Sequence, residues 1–153
     1  MKKMFAMMLT MALAMMTSAA MAEEFAGEKQ KALDAVKVSL PDAVVDYAVR
    51  ERDDGRYEWN LFFTQGEQIG KCKVIEESNE IRRVELFKKE AGVLTASEAV
   101  AKLIEKKGAV TVTELDLDWD DGRLVYEGDA ELDGKRYEFE MKATGEIIEW
   151  ERD

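Results

Sequence analysis

The sequence predicts an α+β protein in which an N-terminal signal peptide precedes two repeats, each with one helix packed on a four-stranded antiparallel meander. The first observation behind this prediction is a repeated turn, because 52–57 (RDDGRY) recurs 67 residues later as 119–124 (WDDGRL). The second is an apolar pattern with helical spacing that lies ahead of each turn, and its two occurrences are also 67 residues apart. The third is a series of glycine-containing turns in the second half of the chain. A duplicated supersecondary unit explains all three observations.

Residues 1–22 are predicted to be a secretory signal peptide. Lys2 and Lys3 precede an apolar run at 4–16, and Ala-Met-Ala at 20–22 forms a cleavage pattern directly before two glutamates. The apolar run is short for a membrane span, and a retained signal anchor is the alternative. We therefore expect cleavage after Ala22, no membrane span in the mature chain, and a location in the medium, the periplasm or the cell envelope.

Residues 23–88 are assigned to the first repeat, which is less regular than the second. Pro41 is expected to end its helix near Leu40. A strand with apolar residues at every second position follows: Tyr57, Trp59, Leu61 and Phe63. Tyr47 and Val49 are out of phase with that strand, which predicts a bulge or a longer turn. Because Phe62 adjoins Phe63, one of the two is expected to lie outside the first core, against the other repeat.

Residues 89–94 are assigned to a short linker, and residues 95–153 to the second repeat, so we expect the two units to pack together. Thr95 and Glu98 form a capping box that starts a helix, and Gly108 is expected to end it. The helix carries apolar side chains along one side: Ala99, Val100, Leu103 and Ile104.

The strands of the second repeat are defined by three dipeptides that suit two-residue hairpin turns: Asp121-Gly122, Asp133-Gly134 and Thr144-Gly145. The third of these turns is expected to pair Met141 with Ile148. Together the three registers place the large apolar residues of all four strands on one face: Leu117, Trp119, Leu124, Tyr126, Phe139, Met141, Ile148 and Trp150. A slip by one residue would scatter them to both faces, so the agreement supports the meander.

The stretch 116–128 (DLDWDDGRLVYEG) raises the question of a calcium loop. Such a loop needs glycine at its sixth position, where Asp121 stands, and Gly122 comes one residue later. Alternation along a strand already explains why its aspartates point the same way. We therefore interpret the stretch as the acidic outer face of a hairpin and predict no metal site. A weak site on that face is the alternative, with these candidate ligands: Asp116, Asp118, Glu127 and Asp129.

The amino-acid composition argues against several classes of partner and of catalytic site. The chain has a formal net charge of −11 and no histidine. Strong acidity argues against nucleic acids and anionic membrane surfaces as partners, because both repel it. The absence of histidine removes the usual zinc ligand and the commonest general base. The single cysteine, Cys72, is expected to be a buried free thiol, although two flanking lysines leave a reactive thiol as the alternative. We predict no enzymatic activity, no catalytic residues and no cofactor.

At this point the pattern resembles the PepSY family. The resemblance rests on five short stretches: Ser97-Glu98-Ala99, Gly122 with Tyr126, Asp133-Gly134, Tyr137-Glu138-Phe139, and Ala143-Thr144-Gly145-Glu146-Ile147. It covers residues 95–153, while residues 26–88 look like a diverged second copy. Lys142 departs from the pattern, since the family often has an acid there. The tandem architecture is also similar to the beta-lactamase inhibitor protein fold, in which two sheets form one concave binding surface.

The resemblance implies a secreted or envelope-associated bacterial module that binds another secreted or envelope protein, notably a peptidase. The leading hypothesis is therefore a non-catalytic binding module that inhibits or modulates a peptidase. Its candidate contacts are an exposed aromatic residue of the first repeat, Phe62, and the turn residues Gln65 and Gly66. A divalent-cation-responsive envelope protein, which would bind calcium on the acidic sheet face, is the alternative.

Overall fold

The computed structural model describes residues 25–153, so the predicted signal peptide lies outside the described residues. The first unit consists of α1 (Ala26–Ser39), β1 (Val44–Asp53), β2 (Arg56–Gln65), β3 (Gln68–Ile75) and β4 (Ile81–Lys88). The second consists of α2 (Ala96–Lys107), β5 (Thr111–Asp120), β6 (Arg123–Leu132), β7 (Lys135–Lys142) and β8 (Ile147–Arg152). Each unit has one antiparallel sheet with its strands in sequence order. The predicted fold, two repeats of a helix and a four-stranded meander, is confirmed.

Local chemistry marks both ends of α2 and the end of α1. At the start of α2, the Thr95 side chain accepts a hydrogen bond from the Glu98 amide, and the Glu98 carboxylate accepts one from the Thr95 amide. This reciprocal pair is the predicted capping box. Gly108 follows the last helical residue and has a positive φ of 106°. Helix α1 ends at Ser39, just before Leu40 and Pro41. None of the helices described between residues 25 and 153 is long and apolar enough to cross a membrane.

The Asp-Gly turns have the backbone that their sequences predict. Both central residues have positive φ at Asp121-Gly122 (47° and 76°) and at Asp133-Gly134 (52° and 71°). Left-handed conformations at both positions are typical of the type I′ turn, whose twist matches that of the flanking strands. Asp54-Gly55 in the first repeat has the same conformation. The observed pairs include Leu117 with Tyr126 and Phe139 with Trp150, as the sequence predicts.

The prediction of a two-residue turn at Thr144-Gly145 is wrong. Lys142 donates its amide hydrogen to Glu146 and accepts one from Gly145, so this loop has three residues between its closing pair rather than two. Met141 therefore pairs with Ile147 instead of Ile148, and a register shift between Glu140 and Met141 restores the pairing of Phe139 with Trp150. Ile148 is exposed as a result. Trp119 also departs from the predicted apolar face, since it lies near the hairpin tip and is 55% exposed.

Two apolar cores hold the units together. The first lies between α1 and one face of its sheet and contains Trp59, Leu61, Phe63, Cys72 and Val74 together with Ala32 and Val36. The second lies between α2 and the second sheet, but it also takes in four residues of the first unit: Val49, Phe62, Ile69 and Phe87. Phe62 and Phe63 point to opposite faces because neighbours along a strand alternate. The second core is therefore shared by both repeats.

Candidate protein-binding surface

The outer face of the second sheet, opposite α2, carries two rows of carboxylates that run across all four strands. The register pairs Asp116 with Glu127, Glu127 with Glu140, and Glu140 with Glu149. It gives a parallel second row in the same way: Glu114, Asp129, Glu138 and Glu151. We call these eight residues the acidic face. All of them except Glu151 line an open depression of about 270 Å³.

The carboxylates of the acidic face repel each other. Side chains directly opposite each other on adjacent strands lie within about 5.5 Å at Cβ, and like charges in such pairs destabilise the sheet. Burial raises the pKa of Glu127, and the adjacent carboxylates of Asp116 and Glu140 raise it further. Burial also raises the pKa of Glu114, with Asp129 as the next contributor. The face therefore favours a cationic neighbour.

The protein's own cations offset this repulsion at three of the eight carboxylates. Lys71, from the first repeat, donates a hydrogen bond of 2.7 Å to Asp116, and Arg136 is bonded to Asp129. Arg123 approaches Glu140 at 3.9 Å. In contrast, no salt bridge within residues 25–153 involves Glu127, Glu138 or Glu149. These three carboxylates, one on each of β6, β7 and β8, thus keep a negative charge that the protein's own cations do not offset.

The four candidate metal ligands do not converge. Asp116 and Glu127 are neighbours in one row and Asp129 belongs to the other, while Asp118 lies opposite Val125, outside both rows. Asp116 is bonded to Lys71 and Asp129 to Arg136, so two of the four carboxylates already have protein cations beside them. Within residues 25–153, no three Asp, Glu or Cys side chains are placed together to hold a metal ion.

The structure places the three candidate partner contacts differently from one another. Phe62 is only 2% exposed, because it packs into the shared core with its ring centroid 6.4 Å from that of Tyr126. The expectation that Phe62 is exposed is therefore wrong. Gln65 is half-buried and its side-chain oxygen is buried without a hydrogen-bond partner. Gly66 is exposed in the turn between β2 and β3, with φ of 59°.

A polar joint connects the first repeat to the edge of the second sheet. The Leu115 amide donates a hydrogen bond of 3.1 Å to the Glu51 carboxylate, and the Asn60 side-chain amide donates one of 3.1 Å to the Leu115 carbonyl. Burial raises the pKa of Glu51 to about 7, although the Leu115 hydrogen bond and the charge of Lys73 lower it. Both side chains point away from α1 and toward the second repeat.

Sequence reasoning missed most of the acidic face and all of the joint. A signal for the first was present, since Glu138-Phe139-Glu140 and Glu149-Trp150-Glu151 alternate around residues assigned to the apolar face. The predicted register would have aligned these acids into rows. The joint has no comparable signal, because Glu51 and Asn60 contact a residue more than fifty positions away.

Cys72 is a buried free thiol, as expected from its position in a strand. Burial raises its pKa to about 11. Its side chain belongs to the first core, whereas Lys71 and Lys73 point to the other face of the sheet. The lysines therefore do not activate it.

Residues 93–151 match the family model of the peptidase propeptide and YPEB domain, PepSY, which confirms the resemblance for the second repeat. Among solved structures, the chain is similar to a proposed lipoprotein from Clostridium difficile 630, with 16% identity, coverage of 80% of this chain and 90% of that chain, and a TM-score of 0.44. It is also similar to the C-terminal domain of YpeB from Bacillus megaterium (17% identity, 84% and 64% coverage, TM-score 0.34). A BLIP-like protein from Bacteroides fragilis NCTC 9343 shows 13% identity, 80% and 84% coverage, and a TM-score of 0.32. No curated protein matches the sequence.

Proposed function

We propose that this protein is an exported, non-catalytic module that binds another secreted or envelope protein and inhibits or modulates a peptidase. The observation that carries the proposal is the acidic face, two rows of carboxylates that cross four strands of the PepSY-matching repeat. The family description, peptidase propeptide, supports a peptidase as the target class. The basic and apolar pattern of residues 2–16 supports export.

The acidic face suits recognition of a basic protein surface. Carboxylates held close together on a rigid sheet repel each other, and lysine or arginine side chains of a partner would relieve that repulsion on binding. The summed field would also steer a basic partner toward the depression and accelerate association. Because much of the face is open to solvent, its contribution to binding should weaken as salt rises.

The same geometry is poorly suited to catalysis. A pair of catalytic carboxylates needs environments that move their pKa values apart, so that one donates a proton while the other stays ionised. Burial moves the pKa values of Glu114 and Glu127 in the same direction. The depression that they line is open, so water is not excluded from it.

A charge-reversal experiment tests the proposal. The variant Glu138→Lys/Glu149→Lys changes two exposed residues of the acidic face, and Glu67→Lys/Glu90→Lys makes the same change in charge at exposed positions of the first unit and the linker. Each protein is titrated into culture supernatant of the source organism while hydrolysis of a fluorescent casein substrate is followed. The wild type and the control variant should change the rate in a saturable way, and the acidic-face variant should lose at least about tenfold in potency.

The salt dependence of the same assay adds an independent readout. Potency should fall as ionic strength rises from about 0.05 M to about 0.5 M, because exposed charges are screened over that range. A supernatant rate that no concentration of wild-type protein alters, together with no protein retained on the immobilised wild type, would contradict the proposed function.

Calcium binding is a second candidate that one observation favours. Burial raises the pKa of Glu127, the carboxylates of Asp116 and Glu140 raise it further, and a divalent ion in the depression would favour the charged form instead. Calorimetry with calcium, run beside the variant Asp116→Asn, tests this directly. Heat at roughly millimolar calcium and a raised melting temperature, both lost in the variant, would support a calcium site, and no response in the wild type would dismiss it.

A further inference from the structure

The second sheet has two edge strands, β5 and β8, which differ in whether their outward backbone groups have hydrogen-bond partners. At the β5 edge, the outward amide and carbonyl of Leu115 are bound by Glu51 and Asn60 of the first repeat. That edge is also packed beside β1. An edge strand whose backbone groups are occupied in this way cannot take up a further strand there. The opposite edge is β8.

The backbone groups that β8 presents outward follow from one hydrogen bond. The Asp153 amide donates to the Arg136 carbonyl on β7 at 3.1 Å, so residue 153 faces inward. In an antiparallel pair, consecutive residues alternate between groups that bond to the partner and groups that point away. Arg152 and Trp150 therefore direct their amide and carbonyl groups away from β7.

The β5 edge provides a check on this assignment. If the backbone groups of Trp150 point away from β7, those of its partner Phe139 point toward Gly128 on β6. The backbone groups of Gly128 then point toward Phe139, so those of its other partner, Leu115, point away from β6. Leu115 does face outward, since Glu51 and Asn60 bind both of its backbone groups. The alternation is thus consistent across all four strands.

The β8 edge is open in the part of the chain that the structure describes. Within residues 25–153, no backbone or side-chain hydrogen bond reaches the outward groups of Trp150 or Arg152, and no strand lies beyond β8. The end strand of the first sheet, β4, is interrupted in its middle, where its pairing with β3 shifts between Lys71 and Lys73 and Arg83 has a left-handed φ of 49°. Such an interruption bends a strand and disfavours addition of another. The shift in the pairing of β8 lies at its first residue, Ile147, away from Trp150 and Arg152.

We propose that the β8 edge takes up an extended segment of the partner protein as a fifth strand of the second sheet, and that this segment carries lysine or arginine at alternate positions. The inference rests on the proposed function, because it specifies how the partner meets the acidic face. Backbone bonds to Trp150 and Arg152 would hold the segment in strand addition. Its residues opposite Glu149 and Glu151 would lie on the same outer face as those carboxylates.

The charge of the acidic face favours a basic partner protein over a second copy of the chain at the β8 edge. A second copy of the chain pairing through β8 would bring the Glu149 and Glu151 side chains of both copies onto one outer face, and each chain has a net charge of −11. Basic side chains of a different protein would instead extend the two acidic rows with opposite charge. On the other face of the sheet, the partner's intervening residues would lie beside the half-buried Trp150 and the exposed Ile148, which suits apolar side chains.

Two peptides of equal composition test the strand pattern. One alternates lysine and valine (TKVKVKT), and the other places the lysines together (TKKKVVT). The alternating peptide should bind at least about tenfold more tightly in fluorescence anisotropy, because only it can place every lysine on the acidic face while its backbone pairs with β8. Its binding should also slow hydrogen exchange at the outward amides of Trp150 and Arg152.

A backbone variant with a matched control tests the edge itself. Arg152→Pro removes the outward amide hydrogen without removing a bond to β7, which is the position where an edge strand accepts proline. Arg152→Ala removes the same side chain but keeps the amide. The proline variant should bind the alternating peptide at least about tenfold more weakly than the alanine variant. The exchange measurement on the wild type remains decisive even if the proline variant does not fold.

The outcomes separate this inference from the proposed function. Equal binding of both peptides, or peptide binding without slower exchange at Trp150 and Arg152, would overturn strand addition. Slow exchange at these amides in the free protein, together with a dimer in sedimentation, would show a second copy at the edge and overturn it as well. The proposed function would survive either result if Glu138→Lys/Glu149→Lys still lost its effect on the peptidase.

Discussion

Replacing Glu51 with glutamine should stabilise the protein at neutral and alkaline pH. The Glu51 side chain is 10% exposed and accepts the Leu115 amide hydrogen in the joint between the repeats. Glu58 lies directly opposite on β2, Lys73 approaches at 3.9 Å, and Glu114 and Asp116 add negative charge from β5. Glutamine keeps an oxygen that accepts the Leu115 hydrogen bond, but it removes the buried charge. The substitution therefore isolates the energetic effect of ionisation.

The size and sign of the effect follow from the pKa. Burial raises the pKa of Glu51 from 4.5 to about 7, so the folded protein holds this proton more tightly than the unfolded chain. As pH rises from about 4.5 to about 7, the unfolded chain loses the proton first, and the free energy of unfolding falls. At about 1.4 kcal/mol for each pH unit, the loss in the wild type approaches about 3 kcal/mol, and it should be absent from Glu51→Gln.

Urea unfolding at pH 4.5 and pH 8 measures this difference. The two proteins should have similar free energies of unfolding at the lower pH, and the variant should be more stable by about 2–3 kcal/mol at the higher pH. Glu67→Gln, a change at an exposed turn, serves as the control and should follow the wild type at both pH values. A Glu51→Gln protein that unfolds more easily than the wild type at pH 8 would refute the reasoning, because it would show that the charge stabilises the joint.

Three further predictions concern the second unit and the first core. Gly128→Ala should lower the free energy of unfolding by about 3 kcal/mol, because the new Cβ would overlap the Glu114 carbonyl and lie 2.7 Å from its carbon; Gly27→Ala, whose Cβ meets nothing within 4 Å, should show no such loss in the same urea titration. Thr95→Ala should cost about 1 kcal/mol by removing the cap of α2, and an unchanged midpoint of thermal unfolding would contradict this role. Cys72 should react with a thiol reagent at pH 8 only as fast as the protein opens, since burial raises its pKa to about 11; rapid labelling without denaturant would count against a buried thiol.

Sequence reasoning succeeded where the signal is local. An Asp-Gly pair needs only its own backbone to form a left-handed turn, so the two hairpins at Asp121-Gly122 and Asp133-Gly134 were predictable without knowledge of the rest of the fold. Thr-Gly is a weaker signal, because threonine does not favour positive φ as aspartate does. At Thr144-Gly145 the chain forms a longer loop instead, and the pairing next to it shifts by one residue.

The candidate site shows the same division. The alternation of acids along single strands was visible in the sequence, and it correctly placed Asp116 and Glu127 on the outer face. The adjacent Phe62 and Phe63 predicted that one of the two lies against the other repeat, but alternation along the strand does not show which one does or how completely that face is covered. The second repeat covers it, and Phe62 becomes part of the shared core.

The sequence by itself determined the elements, the turns and the face on which most side chains lie, because these depend on backbone conformations and spacings within a few residues. Only the tertiary structure decided how the two repeats meet, since the contacts of Glu51 and Asn60 with Leu115 join residues far apart in the chain. It also decided which edge of the second sheet is closed and which is open. Both outcomes depend on long-range packing, for which no short stretch of sequence carries a signal.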